Sequence, residues 1–192
     1  MKKACVIGWP IAHSRSPLIH NYWLKKYGID AVYEKKAVEP KSVTQFITNL
    51  AASEFIGCNV TIPHKETAFQ AVAKTDEIAN RLGAVNTVYL KDGVVCGTNT
   101  DGEGFIASLC HSYPAFSLRN KAAIIIGAGG AAKAIIGALF DEGAHRVHVA
   151  GGKYFGRVIG RIVTPKGEDL SSLLLAAGLA TPYSGGRRSA MC

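Results

Sequence analysis

The stretch KAAIIIGAGGAAKAIIGALF, residues 121–140, changes abruptly from an apolar run to a glycine cluster and then to an alanine-rich segment. The apolar run at 121–126 predicts a buried strand, the glycines at 127–130 predict a tight turn, and residues 131–140 predict a helix. A further apolar segment at 146–150 predicts a second strand. This order is that of one β-α-β unit, so the sequence favours an α/β fold with parallel strands.

The glycine turn has the spacing Gly127-x-Gly129-x-x-Ala132 and lies between the predicted strand and the predicted helix. Glycines at such a turn allow the backbone to approach a pyrophosphate, and the helix N-terminus supplies amide donors and a positive dipole. The alternative is a tight turn that binds no ligand. We take the turn as a candidate dinucleotide site, and its candidate cofactor-binding residues are Gly127, Ala128, Gly129, Gly130 and Ala131.

The residues after the second predicted strand bear on the choice of cofactor. In dinucleotide-binding units an acid at this place binds the ribose 2′-hydroxyl of NAD. Here Ala150 is followed by Gly151, Gly152 and Lys153, so that carboxylate is missing. Lys153 offers the 2′-phosphate of NADP a single point charge rather than a bidentate fork. The sequence therefore predicts weak cofactor binding with no strong preference between NADP and NAD.

Towards the N-terminus, predicted strands alternate with predicted helices. The strands are indicated by short apolar runs and the helices by apolar residues at helical spacing. Strands are predicted at 4–8, 31–38 and 55–61, helices at 17–27, 39–52 and 101–111, and a hairpin at 84–96 that turns at 91–93. The apolar face of the first helix is predicted to comprise Leu18, Tyr22, Trp23 and Leu24, and Asp76 is predicted to cap a short helix. This pattern is typical of a mostly parallel sheet covered by helices.

Length and composition limit the class of protein. The chain has 192 residues, 48% of them hydrophobic and 19% charged, which indicates one domain or two small ones and excludes a large multidomain enzyme. No apolar run reaches the roughly 20 residues of a membrane span, and the N-terminus does not resemble a signal peptide, so we expect a cytoplasmic protein with no membrane partner. Five scattered cysteines without a C-x-x-C pair argue against a disulfide framework and a zinc site.

The formal net charge of +8 is unevenly distributed, because residues 151–192 carry half of it. A moderately basic body suits small anionic ligands such as carboxylates or nucleotide phosphates. As a signal for nucleic acid it is too weak, so we do not expect a nucleic-acid partner.

Short polar side chains lie where predicted strands end. Ser14 and Ser16 are in the loop after the first strand, where hydroxyls can meet a ligand carboxylate, although Ser16 alone is more often a helix cap. Asn59, Thr61 and Lys65 lie at the carboxyl end of the third predicted strand, at the edge where open α/β sheets place their sites. A lysine there is also commonly a solvated surface charge. Asn86 and Asp101 complete the set of polar candidates, and each of these two can also be a turn former.

Five segments of the sequence, which contain these polar residues and the glycine turn, resemble the shikimate dehydrogenases in their residues and in their order along the chain. The matching segments are GWPIAHSRSP at 8–17, NVTIPHK at 59–65, GAVNT at 83–87, NTDG at 99–102 and GAGGAA at 127–132. The resemblance covers about residues 1–150 and implies a substrate domain followed by a Rossmann-type cofactor domain. It implies reversible reduction of 3-dehydroshikimate to shikimate by NADPH. On this basis we expect a substrate domain at 1–112, an incomplete NADP-binding unit at 113–150 and a separate tail at 151–192.

The resemblance also assigns roles to residues. It implies that Lys65 and Asp101 are the catalytic pair, and that the substrate's carboxylate and hydroxyls are bound by Ser14, Ser16, Asn59, Thr61 and Asn86. The pair also makes chemical sense by itself, because hydride delivery to a ketone leaves an alkoxide that needs a proton donor. Lys65 is that donor and Asp101 orients it. We interpret the nearby His13 and His64 as structural.

The resemblance ends after Ala150. The family's segment that grips the 2′-phosphate, the rest of its cofactor sheet and its C-terminal helix have no counterpart in the sequence. Residues 153–192 instead resemble the closing part of a staphylococcal-nuclease-like domain, with Arg157 at the position of a catalytic arginine. The calcium-binding acids of those nucleases are missing, so nuclease activity is not expected. An enzyme with this C-terminal segment would be impaired by the missing half of its cofactor domain. Two alternatives to an active enzyme remain open: a non-catalytic shikimate-binding fragment and a basic nucleic-acid-binding chimera. The sequence leaves the oligomeric state undetermined.

Overall fold

The computed structural model describes residues 1–126, 130–144, 146–150 and 176. The eight strands of this described part are β1 (Lys2–Gly8), β2 (Ala31–Ala37), β3 (Phe55–Val60), β4 (Lys74–Thr75), β5 (Thr87–Lys91), β6 (Val94–Thr98), β7 (Ala122–Ile126) and β8 (Arg146–Ala150). Its α-helices are α1 (Ser16–Lys26), α2 (Val43–Thr48), α3 (Lys65–Ala71), α4 (Glu77–Leu82), α5 (Asp101–Ser112) and α6 (Gly130–Asp141). Gly127, Ala128 and Gly129 of the predicted cofactor turn lie outside the described residues, as does the nuclease-like tail apart from Ala176.

A six-stranded sheet in the order β2-β1-β3-β5-β6-β4 forms the centre of the N-terminal part. The pairs β1/β2, β1/β3 and β4/β6 are parallel, whereas β5 is antiparallel to both β3 and β6. The predicted hairpin is confirmed, because β5 and β6 are joined by Asp92 and Gly93 with φ of 52° and 76°. A pair of left-handed residues gives the twist that a two-residue hairpin needs. The α/β class predicted from the sequence is thus confirmed.

The main core lies between this sheet and the segment from residue 40 to residue 52. The predicted helix over 39–52 is a short α2 flanked by two single turns of 3₁₀-helix, Pro40–Ser42 and Leu50–Ala52. Its apolar spacing was predicted correctly, because Val43, Ile47 and Leu50 are fully buried in the core.

The predicted apolar face of α1 is wrong. Leu18, Tyr22 and Trp23 are 71%, 63% and 48% exposed, and only Leu24 packs against a buried cluster. This face is exposed because α1 packs on β2 through polar and aromatic contacts instead. The Asn21 side chain makes two hydrogen bonds of 2.9 Å with the Tyr33 backbone, donating to its carbonyl and accepting from its N–H.

A second sheet consists of the parallel strands β7 and β8, with α6 between them in the chain. The strand and helix predicted from residues 121–150 are confirmed within one residue at each boundary. Helix α6 crosses α5 closely, because a Cβ at Gly102 would lie 2.8 Å from the Ala134 carbonyl oxygen. Two ion pairs also link α6 to the N-terminal part, Lys133 to Glu66 at 2.6 Å and Arg81 to Asp141 at 2.5 Å. In the described part of the chain, no helix has the length and hydropathy of a membrane span.

Candidate active site

Lys65 is the first residue of α3, a helix that no sequence pattern indicated. Helix α3 follows β3 after a loop of four residues, and the Lys65 carbonyl accepts a hydrogen bond of 2.9 Å from the Val85 N–H. The Lys65 ammonium donates to Oδ2 of Asp101. The two side chains are 12% and 24% exposed, so the ion pair is largely shielded from solvent. The structure therefore brings together the two residues expected to form a catalytic pair.

Asp101 is held on both of its carboxylate oxygens. Oδ2 accepts from Lys65, and Oδ1 accepts from Nδ2 of Asn86 at 2.8 Å. The backbone N–H of Asp101 donates to Oδ1 of Asn99 at 3.1 Å. Asp101 also begins α5, where a negative charge is favoured by the helix dipole. These contacts fix the carboxylate so that it presents one oxygen to the Lys65 ammonium.

Asn86 has a single allowed orientation of its amide. Its Oδ1 accepts from the Thr100 backbone N–H at 3.0 Å, and that group can only donate. Its Nδ2 faces the Asp101 carboxylate, which can only accept. The Asn86 main chain is bonded to Val60 and Thr98 on the two neighbouring strands, at 2.7 and 3.0 Å. The buried Asn86 is therefore a rigid support for Asp101.

Asn59, near the end of β3, joins the same network through Thr87. The Thr87 hydroxyl donates to Oδ1 of Asn86 at 2.9 Å and accepts from Nδ2 of Asn59 at 3.1 Å. Oδ1 of Asn59 accepts from the Tyr33 hydroxyl at 2.6 Å. Five elements of the fold, β2, β3, α3, β5 and α5, thus contribute to one continuous set of hydrogen bonds.

Ser14 and Ser16 form a separate half-buried pair, with Ser14 in the loop between β1 and α1 and Ser16 as the first residue of α1. Their hydroxyl oxygens are 3.3 Å apart, and the Ser16 N–H donates to the Ser14 hydroxyl at 3.4 Å. The capping alternative for Ser16 does not hold, because helix α1 has no side-chain cap. None of the described hydrogen bonds links this pair to Lys65 or Asp101. The loop after β1, which carries Ser14 (the serine loop), and the loop after β3, which leads to Lys65, nevertheless leave the sheet at the same edge, because β1 and β3 are parallel neighbours.

Thr61 is the first residue of the loop between β3 and α3. Its backbone N–H donates to the Ile7 carbonyl at 3.0 Å. A Cβ on Gly8 would lie 2.7 Å from Cγ2 of Thr61 and 2.8 Å from Cδ1 of Ile11, so only glycine allows this approach. The absence of a side chain at Gly8 therefore sets how close Thr61 comes to the loop that carries the serines.

The N-terminus of α6 lies beside Lys65. A Cβ on Gly130 would be 3.6 Å from Cδ of Lys65 and would be in van der Waals contact with it. Gly130 and Ala131 are the two predicted cofactor-binding residues in the described part of the chain. Small residues at the start of a helix leave its amide donors open to an anion, so this end of α6 fits the phosphates of a dinucleotide.

Of the two histidines next to these loops, His64 lies in the interior, whereas His13 is exposed. His64 is fully buried, and its Nε2 is 2.8 Å from the Val38 carbonyl oxygen, to which it donates in the matching tautomer. Burial lowers the pKa of His64, which keeps the ring neutral. The structural interpretation of His64 agrees with these contacts. The described residues contain no group of three or more His, Cys, Asp or Glu side chains that could hold a metal.

Sequence patterns did not indicate three residues of the network, Tyr33, Thr87 and Asn99. Tyr33 has the pattern of a core aromatic in a strand, and its partner Asn59 is 26 residues away. Thr87 and Asn99 belong to the segments GAVNT and NTDG, and their hydroxyl and amide next to a candidate residue were the available signal.

The chain is similar to known proteins over the part that contains this network. Residues 6–88 match the family model of the shikimate dehydrogenase substrate binding domain. The shikimate dehydrogenase (NADP(+)) of Methylocella silvestris is 51% identical over 141 residues, which are 73% of this chain and 50% of that protein. That of Brucella abortus is 49% identical over 148 residues, 77% of this chain and 51% of that protein. The chain thus spans about half the length of the curated relatives it matches.

Solved structures give the same result. The shikimate 5-dehydrogenase of Listeria monocytogenes, in complex with shikimate and NAD, has a TM-score of 0.74 and 33% identity, covering 81% of this chain and 53% of that one. The enzyme of Thermus thermophilus, in complex with NADP(H) and shikimate, has a TM-score of 0.70 and 33% identity, covering 78% and 56%. The family model, the curated relatives and the solved structures therefore agree that this chain is similar to the shikimate dehydrogenases, and the family model matches it to their substrate binding domain.

Proposed function

We propose that this chain binds shikimate and 3-dehydroshikimate and takes part in their NADP-dependent interconversion. The observation that carries the proposal is the shielded Lys65–Asp101 ion pair, supported by Asn86 and lying beside the N-terminus of α6. Reduction of a ketone by a dinucleotide needs a proton donor close to the cofactor, and an ammonium group beside this helix start can meet that need. The names of the relatives and the shikimate bound in the solved neighbours support the choice of substrate.

The proposed binding roles follow the polarity of the side chains. The Ser14 and Ser16 hydroxyls, at the start of α1, suit the substrate carboxylate, because hydroxyl donors and a helix N-terminus both favour an anion. Asn59, Thr61 and Asn86 suit the ring hydroxyls. The ligand would then span from the serine loop to the Lys65–Asp101 pair, which are presented at one edge of the sheet.

The proposed chemistry assigns the proton to Lys65. When bound, the nicotinamide supplies the hydride that reduces the substrate ketone. The resulting alkoxide oxygen takes a proton from Nζ of Lys65, and in the reverse direction the neutral amine takes that proton back. Asp101 holds Nζ in place through Oδ2 and is itself held by Asn86 through Oδ1. A positioned proton donor of this kind contributes about 10²- to 10⁴-fold to a rate.

The proposed cofactor site comprises Gly127, Ala128, Gly129, Gly130 and Ala131, of which the last two are in the described part of α6. We propose that NADP binds weakly there, because Gly151 and Gly152 stand where a 2′-phosphate would need side-chain donors. We also propose that residues 1–112 form the substrate domain and 113–150 part of the cofactor domain. The separation of the β7–β8 sheet from the six-stranded sheet supports this division.

The test compares binding with turnover in one set of variants. Shikimate is titrated into the protein by calorimetry, and NADPH oxidation is followed with 3-dehydroshikimate. Lys65→Ala should lower turnover about 10²- to 10⁴-fold and weaken shikimate binding far less. The matched control is Lys91→Ala, an exposed lysine of the β5–β6 hairpin, which should leave both values unchanged. Near-normal turnover in Lys65→Ala would remove the proposed proton donor, and heat on titration without any turnover would indicate the non-catalytic binding fragment.

A further inference from the structure

A chain of side-chain hydrogen bonds runs from Tyr33 on β2 to Asp101 on α5, and each step of this chain has a defined donor and acceptor. The Asp101 carboxylate only accepts and the Thr100 N–H only donates, so Nδ2 of Asn86 faces Asp101 and its Oδ1 faces Thr100. The Thr87 hydroxyl must then donate to that Oδ1, and it accepts from Nδ2 of Asn59. Oδ1 of Asn59 is left to accept from Tyr33 at 2.6 Å. The chain of donors begins at the Tyr33 hydroxyl and ends at the carboxylate.

The Tyr33 side chain is held at several points so that its hydroxyl stays in this place. The His20 ring stacks on the Tyr33 ring with the centroids 4.1 Å apart and the planes at 9°. The Asn21 side chain bonds both backbone groups of Tyr33. Burial raises the pKa of the Tyr33 hydroxyl above its usual range, so it remains a donor across the physiological range of pH. These contacts come from α1, the helix that follows the serine loop.

The bond from Tyr33 is the second of two hydrogen bonds that hold the Asn59 amide, the first being that to Thr87. Because the Thr87 hydroxyl gives its only hydrogen to Asn86, it needs Nδ2 of Asn59 as a donor and sets the orientation of the amide. Without Tyr33, the amide is held at Nδ2 alone and can turn about that bond, so its second hydrogen no longer has a fixed direction. With Tyr33, Oδ1 faces the tyrosine hydroxyl and one hydrogen of Nδ2 binds Thr87. The second hydrogen has only a long contact of 3.5 Å to the Asn86 carbonyl oxygen. That hydrogen is therefore available to an oxygen acceptor of a bound ligand.

We propose that Tyr33 is a positioning residue, which fixes the Asn59 amide so that Asn59 donates its free Nδ2 hydrogen to a ligand oxygen. The inference rests on the proposed function for the identity of the ligand, a ring carrying hydroxyl or ketone oxygens. It gives a role in the site to a residue that does not itself touch the substrate. It also makes α1 part of the site's support, because His20 and Asn21 hold Tyr33.

The first experiment needs no ligand. Side-chain amide signals of Asn59 and Asn86 are assigned by ¹H–¹⁵N NMR in the full chain and compared with those of Tyr33→Phe. The phenylalanine keeps the ring stacked on His20, so the fold is expected to be retained. The Asn59 signals should shift strongly and those of Asn86 less. Tyr89→Phe, which changes an exposed tyrosine on β5, is the matched control and should move neither. Unchanged Asn59 signals in Tyr33→Phe would overturn the proposal.

The second experiment measures shikimate affinity in Tyr33→Phe, Asn59→Ala and the double variant. Loss of one neutral hydrogen bond corresponds to about a 3- to 10-fold weaker affinity for Tyr33→Phe. If Tyr33 acts through Asn59, its change adds nothing in the Asn59→Ala background. Additive losses would show that Tyr33 acts only on the fold and would contradict the proposal. If even the unmodified protein binds no shikimate, the proposed function fails, whereas the amide signals still decide the role of Tyr33.

Discussion

Replacing Asp101 by asparagine should destabilise the protein although the two side chains have the same shape. The amide has one acceptor, whereas the site needs two, one for Lys65 and one for Asn86. Asn86 cannot rotate to compensate, because its Oδ1 is held by the Thr100 N–H. Either orientation of the new amide therefore places an NH₂ group against another donor.

The size of the effect follows from how far the ion pair is shielded. Exposed pairs contribute about 0.2 to 1 kcal/mol, and removing one partner of a fully buried pair costs about 3 to 5 kcal/mol. At 12% and 24% exposure, the Lys65–Asp101 pair lies between these limits. We expect the free energy of unfolding to fall by about 2 kcal/mol in Asp101→Asn.

Urea denaturation at neutral pH measures this change, with the slope of the transition unchanged. The matched control is Asp141→Asn, whose ion pair with Arg81 is half exposed on both sides and whose loss should cost less than about 1 kcal/mol. In a Lys65→Met background, Asp101→Asn should cost about 1 kcal/mol less, because the opposing donor is gone. Equal costs for Asp101→Asn and Asp141→Asn, or a cost that Lys65→Met does not change, would refute the reasoning.

Two further predictions concern the site's surroundings. Gly8→Ala should lower the free energy of unfolding by about 1 to 3 kcal/mol and weaken shikimate binding, because the new Cβ displaces Thr61. The control Gly104→Ala, with open space around its Cβ, should stabilise α5 by about 0.5 to 1 kcal/mol. Equal effects of the two changes in urea denaturation would contradict this prediction. The second prediction concerns the stability of the fold at acidic pH. Burial lowers the pKa of His64 from its ordinary 6.5, so below that pH the unfolded chain binds a proton that the folded protein does not. Stability should therefore fall as the pH drops below 6.5, and His64→Gln should reduce that fall. An unchanged pH dependence of the melting temperature would exclude His64 as its source.

The parts of the fold that local sequence determines were predicted well. Asp92-Gly93 between two apolar runs specifies a hairpin because both residues adopt left-handed backbone angles, and Asp76 caps α4 by accepting from the Ala79 N–H. Helix α1 shows the limit of local patterns. Its apolar spacing indicated a buried face, but which side of a helix contacts the sheet depends on distant partners, here the backbone and ring of Tyr33.

The candidate site shows the same division. Lys65 and Asp101 were expected together from a resemblance rather than from any periodic pattern, since 36 residues separate them in the chain. Helix α3 was missed because its seven residues are too few to establish a helical repeat. The supporting role of Tyr33 was not predictable, because a tyrosine in a strand reveals its ring's burial but not the partner of its hydroxyl. Hydrogen bonds across a sheet depend on register, which single strands do not specify.

The contact between α5 and α6 at Gly102 makes the spacing of these helices independent of ionic strength. The ion pairs that α6 makes through Lys133 and Asp141 are exposed, and added salt weakens exposed ion pairs. The fit of the Ala134 carbonyl against a residue without a side chain is not screened. The distance between α5 and α6 should therefore be the same at high salt concentration and in dilute buffer.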